Sequence, residues 1–407
     1  MQRAVIRSTV RRVCAGAIAL TLASCARDEN VSDARAIEVN AAGGMIVARV
    51  ATSDEASTPA LIDVLSPLTV RQAALGAPIE RRAETLYLYA QGPDGAPRAA
   101  LGGFFRFAFC GAATCLAGPA DATTPIEAVI GADELAGNAL RINFVAQALY
   151  LFPDIVGTTL ERSRECDAVF TAPYYGGGTI YVRGTPVVLG ARRPVLDGCV
   201  NGSISTTSSG AGVNTMFTVS TGIATSLLGE ATYERLRLAD PSLPMLTDLP
   251  ASQTYYAGTR ISGRAAVLPR LELTSKPSTT TGDAGGACES LVRRAQVLAG
   301  EACDNSDLCI NLPAHVGIAP AAGIDFLVVP DALPLLQGLR AELREDELAE
   351  LDGVLGGNAL LASELDFDIP NNRILWRCRA EGCRAEPLFA LAQKTDLAAC
   401  FAPPTVP

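Results

Sequence analysis

The chain has one histidine in 407 residues, His315, and that scarcity removes much catalytic chemistry at once. A Ser–His–Asp site would have to use it, and no G-x-S-x-G turn accompanies it. Within Leu-Pro-Ala-His-Val-Gly it reads as a lone structural or surface histidine. The chain also lacks a P-loop, a G-x-G-x-x-G turn and an EF-hand loop, so no phosphate or calcium cradle is expected. No C-x-x-C pair is present, which argues against zinc; neither a metal nor a cofactor is expected. Charge is sparse at 19 % of residues and its balance is negative, −10 overall. That sign excludes nucleic acid as a partner. The apolar run Val13 to Leu22 is too short to cross a bilayer as a mature helix.

What is present begins with an export address. Arg3, Arg7, Arg11 and Arg12 precede the short apolar run, the order of a targeting segment. Leu22-Ala23-Ser24-Cys25 follows and resembles the lipobox of bacterial lipoproteins. The resemblance implies cleavage before Cys25, acylation of that cysteine (the palmitate type of modification), and a membrane tether with no transmembrane helix. Ala26, rather than Asp, after the cysteine implies sorting to the outer membrane. Cleavage removes four arginines and no acid, taking the net charge from −10 to about −14.

Of the 12 cysteines, Cys14 leaves with the signal and Cys25 carries lipid. Cys110, Cys115, Cys166, Cys199, Cys288, Cys303, Cys309, Cys378, Cys383 and Cys400 remain. An even number in an exported chain reads as a disulfide framework. Proximity suggests Cys110–Cys115, Cys303–Cys309 and Cys378–Cys383, with Cys166–Cys199 and Cys288–Cys400 as the remainder. Spacing does not fix the connectivity.

The mature chain is long enough for two cores and is nearly half hydrophobic. Short apolar runs alternate with Gly, Pro, Ser and Thr, a mainly β pattern. Met45–Val50, Ala60–Val70, Thr85–Ala90, Phe104–Phe109 and Thr179–Leu189 read as strands. Gly92-Pro93-Asp94-Gly95 reads as a turn, and Ser203–Val213 and Lys276–Gly286 as loops. Leu333–Leu351 has helical apolar spacing, with its acids on a solvated face. Asp366 and Asp368 alternate along a strand and are expected to face solvent.

The chain repeats itself. Residues 129–151 align without a gap on 354–376 at an offset of 225, with identities at Val129/Val354, Gly131/Gly356, Leu135/Leu360 and Leu140/Leu365. Copies so far apart are two lobes rather than a solenoid. Ahead of each copy lies a second shared pattern, an apolar strand, a small or acidic residue and a tight turn. These are Ala60-Leu61-Ile62-Asp63-Val64-Leu65-Ser66 and Phe217-Thr218-Val219-Ser220-Thr221-Gly222-Ile223.

An apolar strand entering Asp-Thr-Gly-Ser, followed later by a hydrophobic-hydrophobic-Gly strand, is the lobe signature of aspartic proteases. The chain resembles the two-lobed, pepsin-like members, which carry it twice; retropepsins carry it once and dimerise. Val129-Ile130-Gly131 and Val354-Leu355-Gly356 match the second element, and Leu227–Arg237 resembles the short helix after the turn. The resemblance implies a mainly β, bilobal fold, two pseudo-twofold-related lobes with a few short helices. The expected division is 1–24 signal peptide, 25–44 tether, 45–165 N-terminal lobe, and 166–407 C-terminal lobe with a disulfide-bonded insertion.

The chemistry of that family needs two carboxylates sharing one proton, which together activate water and protonate the leaving group. Here Asp63 is kept, with Ser66 where the family's supporting serine stands, but Val64 and Leu65 replace Thr and Gly. Thr221 and Gly222 are kept, but Ser220 replaces the second Asp. A hydroxyl cannot share a proton as a carboxyl does. The resulting expectation is a non-catalytic envelope lipoprotein that holds an extended peptide or protein in its interlobe cleft. Two alternatives stand beside it: a peptidase pairing Asp63 with another acid, and a purely structural surface protein. Fold alone separates none of them. The intervals from Asp63 to Gly131 and from Ser220 to Gly356 are 68 and 136 residues, so lobe two should carry an insertion, placed at Lys276–Cys309.

Overall fold

A computed structural model describes residues 36–41, 44–51, 58–66, 69–72, 81–91, 97–110, 126, 128–135, 138–153, 168–171, 173–175, 178–182, 185–189, 192–201, 212–256, 259–274, 314–343, 351–370 and 372–387. Cys25 and the lipobox lie outside these residues, as do the turn at 92–95, most of 203–213, and the loop at 276–286.

The fold is mainly β and bilobal. The described strands form a 12-stranded sheet, an 11-stranded sheet and a separate two-stranded one. The internal repeat governs both large sheets. Ala128–Ile130, the helix Ala132–Leu135, and the strands Asn138–Asn143 and Ala148–Pro153 recur at an offset of 225 as Gly353–Leu355, Gly357–Leu360, Ser363–Asp368 and Arg373–Cys378. In lobe one, Thr58–Ile62 runs parallel to Ala128–Ile130, with Ile62 opposite Ile130. In lobe two, Val213–Val219 runs parallel to Gly353–Leu355, with Val219 opposite Leu355. Each of these strands delivers its chain into a turn, at Asp63 and at Ser220 respectively.

Packing explains the sequence of these strands. Val213–Val219 and Gly353–Leu355 are buried at every position, and Asn214, Thr215 and Thr218 are enclosed along with their apolar neighbours. Glu230–Ala239 follows the lobe-two turn as a helix, as the resemblance implied. It places Glu230 at its N-terminal end and Arg237 near its C-terminal end, both favourable to the helix dipole, and buries Thr232, Tyr233 and Leu236. The expected helix at 333–351 is present over Pro334–Leu343, with proline at its first position and Leu336, Leu339 and Leu343 turned inward. Residues 344–350 lie outside the described set.

The lobes join through a six-stranded band inside the larger sheet. Asn138–Asn143 pairs antiparallel with Ser363–Asp368, its own repeat, and Arg141 lies directly opposite Asp366. Those two residues are themselves equivalents at the offset of 225, so the pseudo-twofold axis passes between them. Outward from the axis come Ala148–Pro153 and Arg373–Cys378, then Ala36–Asn40 and Ala168–Thr171. Ala36–Asn40 falls in the segment expected as a tether; it is instead the first strand of lobe one. Its alternation of Ala, Ile, Glu, Val and Asn is too short and polar to announce a strand without the partner at 148–150.

The expectation for Asp366 and Asp368 is also corrected, because both are fully buried. Acid alternating with apolar usually marks a wet face, but here the acidic face meets arginines. Asp366 accepts hydrogen bonds from Arg141 Nε at 2.6 Å and Nη2 at 2.9 Å, and from Arg377 Nη1 at 3.1 Å. Glu364 takes Asn143 Nδ2 at 2.6 Å and Arg379 Nη2 at 3.0 Å, with Arg377 Nη1 3.3 Å away.

The excess length of lobe two was expected at Lys276–Cys309. Residues 275–313 lie outside the described set, but Glu230–Ala239, Ala251–Tyr256 and Pro334–Leu343 also fall between Ser220 and Gly356. Among the cysteines, Cys378 and Cys383 form the expected disulfide. Cys199 is also disulfide-bonded, and its partner's side chain lies outside the described set.

Candidate interlobe site

The two turns meet at the lobe interface, and their backbones obey the same rules. Asp63 N–H donates to Ile130 O at 3.0 Å, and Ser220 N–H to Leu355 O at 2.9 Å. Ala132 N–H donates to Ser66 O and Gly357 N–H to Ile223 O, each at 2.8 Å. Gly131 N–H donates to the Thr69 hydroxyl, which donates in turn to Asp133; Gly356 N–H donates to the Ser226 hydroxyl, which donates to Asn358. Asp63 and Ser220 are therefore equivalents, and the structure brings them into contact: Ser220 Oγ donates to Asp63 Oδ1 at 2.9 Å.

Asp63 is fully buried and surrounded by donors. Its Oδ1 accepts Leu65 N–H at 3.0 Å and Gly222 N–H at 3.2 Å in addition to Ser220. Its Oδ2 accepts Ser66 N–H at 3.1 Å, so Ser66 supports the carboxyl through its backbone. Tyr256 and Arg193 also lie close enough to favour its anion. Burial nevertheless outweighs these donors and raises the Asp63 carboxyl above its ordinary range. The same burial, with the Asp63 charge beside it, pushes the Tyr256 hydroxyl well above its usual range. Among the described residues no Asp or Glu hydrogen-bonds to Asp63.

Thr221 and Gly222, the kept residues of lobe two, both act at the contact between the lobes. Thr221 Oγ1 crosses between lobes to donate to Ile62 O at 2.7 Å and accepts Val64 N–H at 3.3 Å. Val64, its equivalent, has no hydroxyl to return the bond. Gly222 is bare for a reason: a Cβ there would sit 2.8 Å from Asp63 Cγ.

Leu65 occupies the equivalent place in lobe one, and its side chain does the opposite. It is 1 % exposed and packs into the core of lobe two with Val195, Ile223, Ile261, Leu336 and Leu339. Burying a leucine contributes about 1.5–3 kcal/mol. Arg193 fastens this insertion, donating one Nη to Leu65 O and its Nε to Glu342 Oε2 at 2.8 Å. Glu342 belongs to the helix whose acids were expected to be solvated; this one is half-buried in an ion pair.

Sequence reasoning found Asp63, Ser66, Ser220, Thr221 and Gly222 and missed Tyr256, Arg193 and Glu342. None of the three sits in a motif, and nothing in the local sequence ties them to the turns. His315 pairs through its backbone with Thr274 and Glu386, away from the turns in the sheet order.

No family model and no curated protein matches this chain. Among solved structures it is similar to basic 7S globulin from soybean, at 11 % identity over 89 % of this chain and 96 % of that one, with a TM-score of 0.40. It is similar to conglutin gamma, a basic 7S globulin from lupine seeds, at 10 % identity over 88 % and 96 %, with a TM-score of 0.39. It is also similar to an aspartic proteinase from Irpex lacteus, at 12 % identity over 85 % and 98 %, with a TM-score of 0.34. The paired turns and the strand order carry the fold assignment.

Proposed function

We propose that this chain is a non-catalytic, lipid-anchored protein of the bacterial envelope, whose former dyad position has become a structural junction between lobes. The observation that carries the proposal is the Asp63–Ser220 pair, one carboxyl bonded to a hydroxyl, fully buried and ringed by donors. A carboxylate dyad works by sharing a proton and holding a water. Ser220 cannot take the first role, and Leu65 and Tyr256 pack against the same centre. The partner this reading assigns is an extended peptide or protein held in the interlobe cleft without turnover. The membrane contact is assigned to lipid on Cys25.

Two measurements test this. Mature protein should show no pepstatin-sensitive cleavage of unfolded substrates at about pH 3, between the two ionisations of a carboxylate dyad. Asp63→Asn should be indistinguishable from wild type in that assay. Inhibitor-sensitive cleavage lost in Asp63→Asn would establish a peptidase instead. Separately, Cys25→Ser should abolish incorporation of labelled palmitate and move the protein out of the membrane fraction. Retention of both in that variant would refute the anchor.

A further inference from the structure

The strand Ala251–Tyr256 is an outermost strand of the 11-stranded sheet; among the described residues it pairs only with Thr259–Leu268. The register runs from Ala251 opposite Arg264 to Tyr256 opposite Thr259 without a shift. One bond fixes the phase of this ladder: Ala265 N–H donates to Pro250 O at 2.8 Å. In an antiparallel pair, hydrogen-bonded residues alternate with non-bonded ones. Ser252, Thr254 and Tyr256 therefore turn their backbone groups toward Thr259–Leu268. Ala251, Gln253 and Tyr255 turn their N–H and C=O groups outward, where no described residue meets them.

An open edge is a template for a further strand, and folds blunt it with charge, proline, a bulge or brevity. The other outermost strands of the two large sheets carry such devices. Cys383–Pro387 holds Arg384, Glu386 and Pro387, Arg81–Gln91 holds Arg81, Arg82 and Glu84, and Ala168–Thr171 is only four residues long. Ala251–Tyr256 has six residues, no charge, no proline within it and no bulge, and Ala251, Ser252 and Gln253 are exposed.

The ribbon also has a charge preference. Cross-strand partners share a face, so Ala251 stands beside Arg264, Gln253 beside Ser262 and Tyr255 beside Arg260. Arg260, Ser262 and Arg264 are exposed, while Thr254 and Ile261, partners on the opposite face, are 5 % and 2 % exposed. The open face thus carries two arginines, and neither Ala251–Tyr256 nor Thr259–Arg264 contains an acid. Arg264 donates one Nη to Leu249 O at 2.9 Å, and among the described residues neither arginine has a carboxylate partner. A strand added outside Ala251–Tyr256 would lie about 10 Å from the arginine-bearing strand. That is close to the screening length of about 10 Å at 0.1 M salt, so carboxylates on that strand would feel both charges. A second copy of this chain, pairing edge to edge, would bring only an uncharged strand and the same arginines.

We propose that Ala251–Tyr256 is a docking edge that takes an extended, acidic segment of a partner protein as an added strand. The backbone of Ala251, Gln253 and Tyr255 grips the segment, and Arg260 and Arg264 select its charge. The edge goes beyond the cleft reading and does not depend on it, because it rests on the backbone and charges of one ribbon of lobe two.

The test is calorimetric titration of the full mature chain with a capped eight-residue peptide of alternating Glu and Val. Its comparators are the same peptide with Lys for Glu, and the Glu peptide with its amides N-methylated. Gln253→Pro removes an outward N–H and leaves the ladder to Thr259–Leu268 intact. It should weaken binding of the Glu peptide about tenfold, and N-methylation should do at least as much. Arg260→Gln with Arg264→Gln should weaken it about tenfold at low salt and hardly at all in 1 M salt. Equal binding by Gln253→Pro would overturn the edge and leave the interlobe cleft as the peptide's seat. Equal binding of the N-methylated peptide would overturn it on the unaltered protein, so the result does not hang on how the variant folds. Binding of the Lys peptide as tight as that of the Glu peptide, or no measurable binding of either, would also sink the proposal. So would a dimeric wild type that Gln253→Pro turns monomeric, since the occupant would then be a second copy.

Discussion

Asp366→Leu is expected to cost the folded protein about 3–5 kcal/mol. Asp366 is fully buried and binds Arg141 across the lobe junction and Arg377 from the next strand of its own lobe. Removing it takes one carboxylate from Arg377, whose side chain is 1 % exposed, and leaves it Glu364 at 3.3 Å. A buried guanidinium stripped of a carboxylate is expensive because no water replaces the lost partner. The group as a whole behaves in the opposite way. Arg141→Met, Asp366→Leu and Arg377→Met together remove the charges as a set and should recover most of the loss, since apolar replacements of buried ion clusters are often neutral or better. Glu364 keeps Asn143 and Arg379 in that variant. Urea unfolding midpoints read both results. A triple variant as unstable as Asp366→Leu would mean that the arginine stems or the sheet register carry the junction.

Ser220→Asp is expected to give a protein that tolerates acid and fails at neutral pH. Burial already raises the Asp63 carboxyl, and a second carboxyl in contact adds like-charge repulsion. A carboxyl whose folded-state ionisation lies above its unfolded one contributes most below the unfolded value. That contribution is lost as pH climbs through the folded value. With both carboxyls raised, the loss grows through the acid-to-neutral range. Ser220→Asn, of equal size and uncharged, is the comparator. Relative to it, Ser220→Asp should be about as stable at pH 3 and far less stable at pH 7. A difference that stays flat with pH, or reverses, would show that Asp63 is not held in the environment described. Peptidase activity is not expected from Ser220→Asp, because Leu65 and Tyr256 still pack against the centre.

Much of this architecture is written in the chain, at specific places. The repeat at an offset of 225 survives folding element by element, since each copy carries the same strand–helix–strand–strand unit. Asp63 and Ser220 are legible because an apolar strand, a small or acidic residue and a tight turn recur in order. Contacts made by residues outside any pattern stay hidden. Tyr256 and Arg193 reach the centre from segments that the motifs do not touch, and only three-dimensional closure joins them. Asp366 and Asp368 mislead because alternation reports that two faces differ. It cannot say whether the polar face meets water or arginine. Ala36–Asn40 is obscured by its own brevity, and three of its residues pair with a strand more than a hundred positions away.

The axis between Arg141 and Asp366 bears on how the lobes choose their partners. If a lobe met a second copy of itself by the same pairing, the residue on the axis would face its own kind: arginine against arginine, or aspartate against aspartate. Like charges directly opposite in a sheet repel, and here they would do so away from water. The N-terminal lobe is thereby unfit to pair with itself, and so is the C-terminal one. Each is complementary only to the other, whether the complement comes from its own chain or from a neighbouring molecule. Association through this band would therefore take the form of exchanged lobes between two chains, with every Arg141 still facing an Asp366.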